Sequence, residues 1–197
     1  MEVLQEVPLN RTARCRGRPN VELEPMRPGN YTWRHDASNR VRVRLSIQPN
    51  YKLDVAVWWN KDCGPQDLLL WVPLQTDSVE FGDLTGNQYD TPLHRIGLGT
   101  FVVNTAIQVL QVMYAPSVRV TGILSNPNDD HLRAELRERL AEERRMFWAR
   151  FGLAVSPGHY EKISCTVGAL RPVTSGLVGG QFPRYVPLSE FTNETGL

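Results

Sequence analysis

Residues 94–100 read HRIGLGT, and residues 101–114 continue as FVVNTAIQVLQVMY. In the second stretch Asn104, Thr105, Gln108 and Gln111 form a narrow polar stripe, and nearly every other position is apolar. That pattern predicts a helix covered on almost all sides, most naturally by packing on a sheet. Pro116 ends it. Gly97 and Gly99 stand directly before it, either as turn punctuation or as a cradle for an anion. A helix N-terminus carries backbone N–H groups without intrahelical partners and the positive end of the helix dipole. Glycines there let the backbone approach a phosphate closely. The pair is not the dinucleotide fingerprint, whose third glycine is missing, and it lacks the Gly-Lys-Ser/Thr ending of a P-loop.

Upstream of the glycines the period is two. VRVRLSI (41–47) alternates apolar and basic residues, as a half-exposed strand does. LDVAVWW (53–59) and DLLLWVPL (67–74) are richer in β-formers and predict strands set deeper in a sheet. Asn50 and NKDCGPQD provide the breaks, with Gly64-Pro65 as the clearest turn. SVEFGDL (78–84) is a fourth strand, and connections this short or polar suit an antiparallel meander. Downstream, SVRVTGILS (117–125) is a strand that follows a helix and so can run parallel to the strand before it. Asn126 to Asp130 offers cap chemistry for a long helix with Leu132, Leu136, Leu140, Phe147 and Phe151 as its buried stripe and Gly152 as its stop. HYEKISCTVGAL (159–170) suits a last strand, and the turn-rich tail beyond it is expected along the surface.

The chain has 197 residues and a formal net charge of +1, so no large electrostatic field announces nucleic acid or membrane as partner. Cys15, Cys63 and Cys165 are few, odd in number and scattered, which argues against a disulfide framework or a cysteine-rich metal site. The N-terminus lacks the apolar core of a signal peptide, and no apolar run is long enough to span a bilayer, so the expected location is cytoplasmic. Residues 1–40 show little periodicity and read as an N-terminal arm, possible order within it left open, with residues 41–197 as a single domain. Arg11, Arg14, Arg16 and Arg18 in that arm lack an aromatic neighbour on which bases would stack, so a solvated face is preferred over a nucleic-acid contact.

The stretch from Glu80 to Leu153 resembles the core of the GNAT-type N-acetyltransferase superfamily. Its loop pattern Arg/Gln-x-x-Gly-x-Gly/Ala is approached by His94-Arg95-Ile96-Gly97-Leu98-Gly99, followed by Thr100 and an apolar helix. VEFGDL stands where that family has its strand 4, SVRVTGILS where it has strand 5, and RRMFWARFGLAV looks like its end-of-helix signature. The resemblance implies a mixed α/β (α+β) fold, a mostly antiparallel sheet flanked by helices. It also implies a coenzyme site at His94, Arg95, Ile96, Gly97, Leu98, Gly99 and Thr100, with Leu84 and Asn126 at the ends of the two central strands. Acetyl-CoA would be the co-substrate, and the activity acyl-coenzyme A-dependent N-acyl transfer to a primary amine of a small molecule or protein. The family's tyrosine acid aligns with Trp148, whose indole has no useful titratable proton, and an associated asparagine aligns with Ala141.

Transfer of an acyl group to an amine needs a base for the amine and help for the departing thiolate. Glu80 and Asp83 are the candidate bases, and strand alternation puts them on opposite faces. Tyr160 is the favoured replacement acid, with Tyr89 behind it. His35, His131 and His159 have no metal-site spacing, and no metal is expected. Trp58 and Trp59 must place one indole on each face of their strand. The expected partners are acetyl-CoA and an amine acceptor, with a homodimer left open, no membrane, and nucleic acid disfavoured. A catalytically silent coenzyme A-binding or regulatory module is the alternative that Trp148 and Ala141 motivate.

Overall fold

A computed structural model describes residues 27–35, 41–61, 64–82, 84–85, 95–124, 132–156 and 161–194. It is a mixed α/β structure, with mostly antiparallel pairing and two helices among the described residues. Strands β1 (Gly29–His35), β2 (Val41–Gln48), β3 (Lys52–Lys61) and β4 (Gly64–Pro73) make the expected meander. Alternation decides which side of each strand is dry. Val41, Val43, Leu45 and Ile47 are buried while Arg42 and Arg44 between them are exposed, and Leu53, Val55, Val57 and Trp59 repeat the pattern. Asn50, at φ 57°, turns β2 into β3. Gly64 and Pro65 prove to be the first residues of β4, paired with Lys61 and Asn60. Strand β1 falls inside the stretch read as an arm. It pairs along its length with β2 and on its other edge with β12 (Thr192–Asn193).

The sheet changes character at β5 (Ser78–Phe81). This strand meets β4 through the Leu74–Val79 bridge and a hydrogen bond from Gly82 N–H to Trp71 O, 3.0 Å. Its other edge pairs in parallel with β7 (Arg119–Ile123), from Ser78–Arg119 to Phe81–Gly122. Helix α1 (Leu98–Met113) provides the crossover that a parallel pair requires. Beyond Phe81 and Gly122 the strands part: β6 (Leu84–Thr85) pairs with Leu70 and Leu69 of β4, while Ile123 pairs with Lys162 of β9 (Lys162–Thr166). The short β8 (Ala154–Ser156) closes that side.

Both described helices lie on one face of this surface, which gives the expected flanking by helices only weak support. Val79 lies opposite Leu74, which puts Phe81 on the side of buried Leu70 and Val72. Phe81 packs there against Trp148 of α2 (Ala134–Ala149), ring centroids 5.4 Å apart, and α1 covers β3 and β4 on the same side. Leu140 and Trp148 are the buried residues of α2, Phe151 is buried just past its end, and Leu136 and Phe147 are half-buried. No described element packs on the opposite face.

The tail is not a surface ribbon. Val178, Phe182, Val186, Leu188 and Phe191 are all buried. Strands β10 (Leu177–Val178) and β11 (Phe182–Pro183) form a hairpin, and Phe182 sits among Trp33, Trp59 and Phe101 at centroid distances of 5.5–5.8 Å. The polar stripe of α1 holds this segment. Asn104 donates to Val173 O and Arg184 O at 2.8 and 2.7 Å and accepts from Val173 N–H at 2.8 Å. Gln108 and Gln111 donate to Val186 O and Leu170 O at 3.0 and 2.9 Å. Helix polarity that pattern alone assigns to a thin solvent stripe is thus spent on the backbone of a strap.

Candidate functional site

The parallel pair and α1 create one position with the elements of an anion site. Both strands of the pair run toward the end at which they diverge, and the N-terminus of α1 returns to that end. Ligands of α/β sheets gather at such carboxyl ends. Locally, Arg95 and Gly97 both adopt positive φ, 59° and 93°. The first helical bond runs from Phe101 N–H to Gly97 O, 3.1 Å, so the N–H groups of Leu98, Gly99 and Thr100 lie ahead of the hydrogen-bonded ladder. No acidic residue occupies the first turn. Leu98, Gly99 and Thr100 are buried, Ile96 and Gly97 are half-buried, and Arg95 is exposed. An incoming group therefore meets the backbone at Ile96–Gly97.

Arg95 belongs to this turn, Arg184 lies against it, and Arg150 is within electrostatic reach of Arg184. Arg184, from the strap, crosses the open side of Gly97 so closely that a Cβ there would lie 2.6 Å from its Nε. Its Nε donates to Leu177 O at 3.0 Å, and Gly179 N–H donates to Ile96 O at 2.8 Å, tying the β10–β11 hairpin to the glycine turn. Arg150, past the end of α2, has a pKa below the usual arginine range, first because burial disfavours its charge and second because Arg184 repels it. Arg95 forms an ion pair with Glu143 of α2. Positive charge at a helix N-terminus opposes the dipole, and an anion placed between the two relieves both. Neither Arg150 nor Arg184 was legible as a site residue, because each comes from a segment whose return to α1 depends on the tertiary fold.

Of the remaining predicted positions, Glu80 is exposed on the face away from the helices, opposite Thr121 of β7. Leu84 is half-buried in β6, just past the divergence. Asp83, Tyr89, His94, Asn126, His131, His159 and Tyr160 lie outside the described residues. Trp148 is buried, edge-on to Phe81 and Phe147, and so serves as packing. Cys165 is half-buried, and burial pushes its thiol up to about 11, which suits a packing role and not a nucleophile at neutral pH. His35 stacks on Trp33 and Phe182 beside the strap.

A cleft of about 470 Å³, lined by Thr32, Trp33, Arg34, Glu190 and Thr192, opens where β1 meets β12. None of its lining residues belongs to the glycine turn. Among the described residues no three His, Cys, Asp or Glu side chains gather as a metal site would require, and no helix is long and apolar enough to cross a membrane. No family model, curated protein or solved structure matches the chain.

Proposed function

We propose that the chain binds an acyl-coenzyme A at the glycine turn and transfers the acyl group to a primary amine, as a divergent GNAT-like N-acyltransferase. The observation that carries this reading is the coincidence of the diverging β5–β7 pair with a glycine-led helix N-terminus faced by Arg184. A diphosphate held at Ile96–Gly97 leaves its pantetheine arm directed at the gap between Leu84 and Ile123. There the arm has strand edges for its amide groups and emerges toward the face that carries Glu80. A carboxylate on that face suits the base that must take a proton from the attacking ammonium. In the proposed reaction the neutral amine attacks the thioester carbonyl, the C–N bond forms, the C–S bond breaks, and coenzyme A leaves as thiol after protonation.

Calorimetric titration with acetyl-CoA tests binding. We expect Arg184→Glu to weaken it by at least tenfold with little change in melting temperature. Absence of binding to the wild-type chain at millimolar ligand would overturn the reading. A second reading, a coenzyme-binding module without turnover, is favoured by the burial of Trp148 where a tyrosine acid is expected. Thioester consumption against a panel of amines separates the two. Turnover lost in Glu80→Gln supports the enzyme, and tight binding with no turnover on any amine supports the silent module.

A further inference from the structure

The sheet has a second face, and its composition is not that of idle surface. Pairing registers place its side chains in rows. One row runs Arg34–Arg42–Trp58–Asp67, the next Thr32–Arg44–Ala56–Leu69, and a third Asn30–Ser46–Asp54–Trp71. Across β5 the same face continues through Glu80, Arg119, Thr121, Ile123, Lys162, Ser164 and Thr166. Trp71 is 43% exposed and Leu69 37%, large apolar groups at positions where the strand alternation faces solvent. The Arg42 guanidinium lies over the Trp58 ring, 5.7 Å from its centroid.

Charge on this face is lopsided. Arg42, Arg44, Arg119 and Lys162 stand there, the carboxylate of Asp54 is taken by Lys52 at 2.8 Å, and the remaining acidic positions on this face among the described residues are Glu80 and Asp67, the latter in register with Trp58. The whole chain carries a formal charge of only +1, so this face holds more than its share. The apolar groups of this face are the two planar indoles, Trp71 exposed and Trp58 half-buried, and the aliphatic Leu69 and Ile123. Trp71 pairs with Asp54, four residues along β3 from Trp58, which separates the indoles by about 13 Å along the strands. Each can therefore stack its own planar group, with room for intervening units. Hydroxyls of Thr32, Ser46, Thr121, Ser164 and Thr166 supply donors between the cations.

We propose that this face binds single-stranded nucleic acid, with Arg42, Arg44, Arg119 and Lys162 on phosphates and Trp58 and Trp71 under bases. A cationic platform with stacking aromatics is the arrangement that sequence-tolerant single-strand binding uses. A duplex would need an element that enters a groove, and no described element projects from this face. An acidic protein segment would match the charge but would leave the two indole planes without stacking partners. The glycine turn lies on the helix side of the sheet, whereas Glu80, the proposed base, shares this second face.

Fluorescence anisotropy with labelled oligodeoxythymidine and oligouridine on the full chain provides the test. Binding should weaken with salt, and the Arg42→Ala/Arg44→Ala pair should lower the log–log salt slope by about 1.4, since each single-strand phosphate contact contributes roughly 0.7. Trp71→Ala should weaken binding about tenfold while leaving the salt slope nearly unchanged, because stacking carries no counterion release. These side chains are exposed, so circular dichroism should report folded variants; Trp58→Ala replaces Trp71→Ala if the latter does not fold. The proposal is overturned by any one of four outcomes: no binding at low salt, equal affinity for duplex, equally effective competition by polyglutamate, or an unchanged slope in the double arginine variant. The last would place the binding on the arginines of residues 1–26 instead.

Discussion

Gly97 and Gly152 hold positive φ angles of 93° and 85°, yet substitution should affect them unequally. A Cβ at Gly97 would meet the Arg184 guanidinium, a movable side-chain end, whereas at Gly152 it would lie 2.3 Å from the backbone oxygen of Ala169. Gly97→Ala should therefore cost about 1–2 kcal/mol of left-handed strain. That corresponds to a melting temperature lower by roughly 2–8 °C for a domain of this size. Gly152→Ala adds a backbone collision to the same strain and should be the more destabilising of the two in thermal melts. Equal melting temperatures would refute the distinction. Cys165 supplies a pH prediction at the same scale. Its thiol titrates near 11 when folded, above the unfolded value, so the folded state keeps its proton longer. This contribution to stability is intact below the unfolded pKa and is lost as pH rises through the folded one. Cys165→Ser should flatten that alkaline loss, and a denaturant titration across the range measures it. Alkylation of Cys165 by iodoacetamide should likewise stay slow at pH 8, relative to a free thiol of ordinary pKa, and accelerate only toward pH 11.

The tail segment from Leu170 to Val186 is tied to helix α1 through side-chain hydrogen bonds to its backbone, and Asn104 is the most connected anchor among them. The side chain is 1% exposed and satisfies two carbonyls and one N–H of the strap. Asn104→Ala leaves those groups facing a dry helix surface, at about 2–4 kcal/mol for the set. Limited proteolysis should cut first between Val173 and Arg184 in this variant, and coenzyme affinity should fall with it because Arg184 is no longer held at Gly97. Protection equal to wild type would show that the apolar anchors alone hold the strap. The same helix explains what was readable in advance. Its near-total apolarity required cover on all sides, and the meander before it alternated cleanly, so β2 to β5, α1 and the parallel partner β7 were all legible in the chain. Strand β1 was not, because GNYTWRH lacks a run of branched apolar residues and owes its position to pairing on both edges. The strap was missed for a related reason: its buried side chains are spaced by turns and follow no helical or strand period. At the site, the glycine turn announced itself, while Arg184 needed the tertiary fold to become its neighbour.

At the scale of the molecule, the chain closes on itself: β12 pairs with β1, and the strap spans from the end of β9 back across α1 to the first strand. The core is consequently one cluster that runs from Tyr31 to Phe191. This makes the C-terminal quarter part of the folding unit. Removing the chain after Thr174 deletes Val178, Phe182, Val186, Leu188 and Phe191, all buried, and exposes Trp33, Trp59 and Phe101 around the vacated Phe182 position. At about 1.5–3 kcal/mol for each buried side chain, the loss is on the order of 10 kcal/mol, and less where the unfolded chain is already compact. Domains of this kind hold only about 5–15 kcal/mol in total, so the truncated chain should have little or no cooperative stability. Near-UV circular dichroism would then be flat and the thermal transition broad, although strand and helix signals persist in the far-UV. A truncated chain that melts sharply within a few degrees of the full one would mean that the meander, α1 and the parallel pair form a self-sufficient core, with the strap serving only to carry Arg184 to the glycine turn.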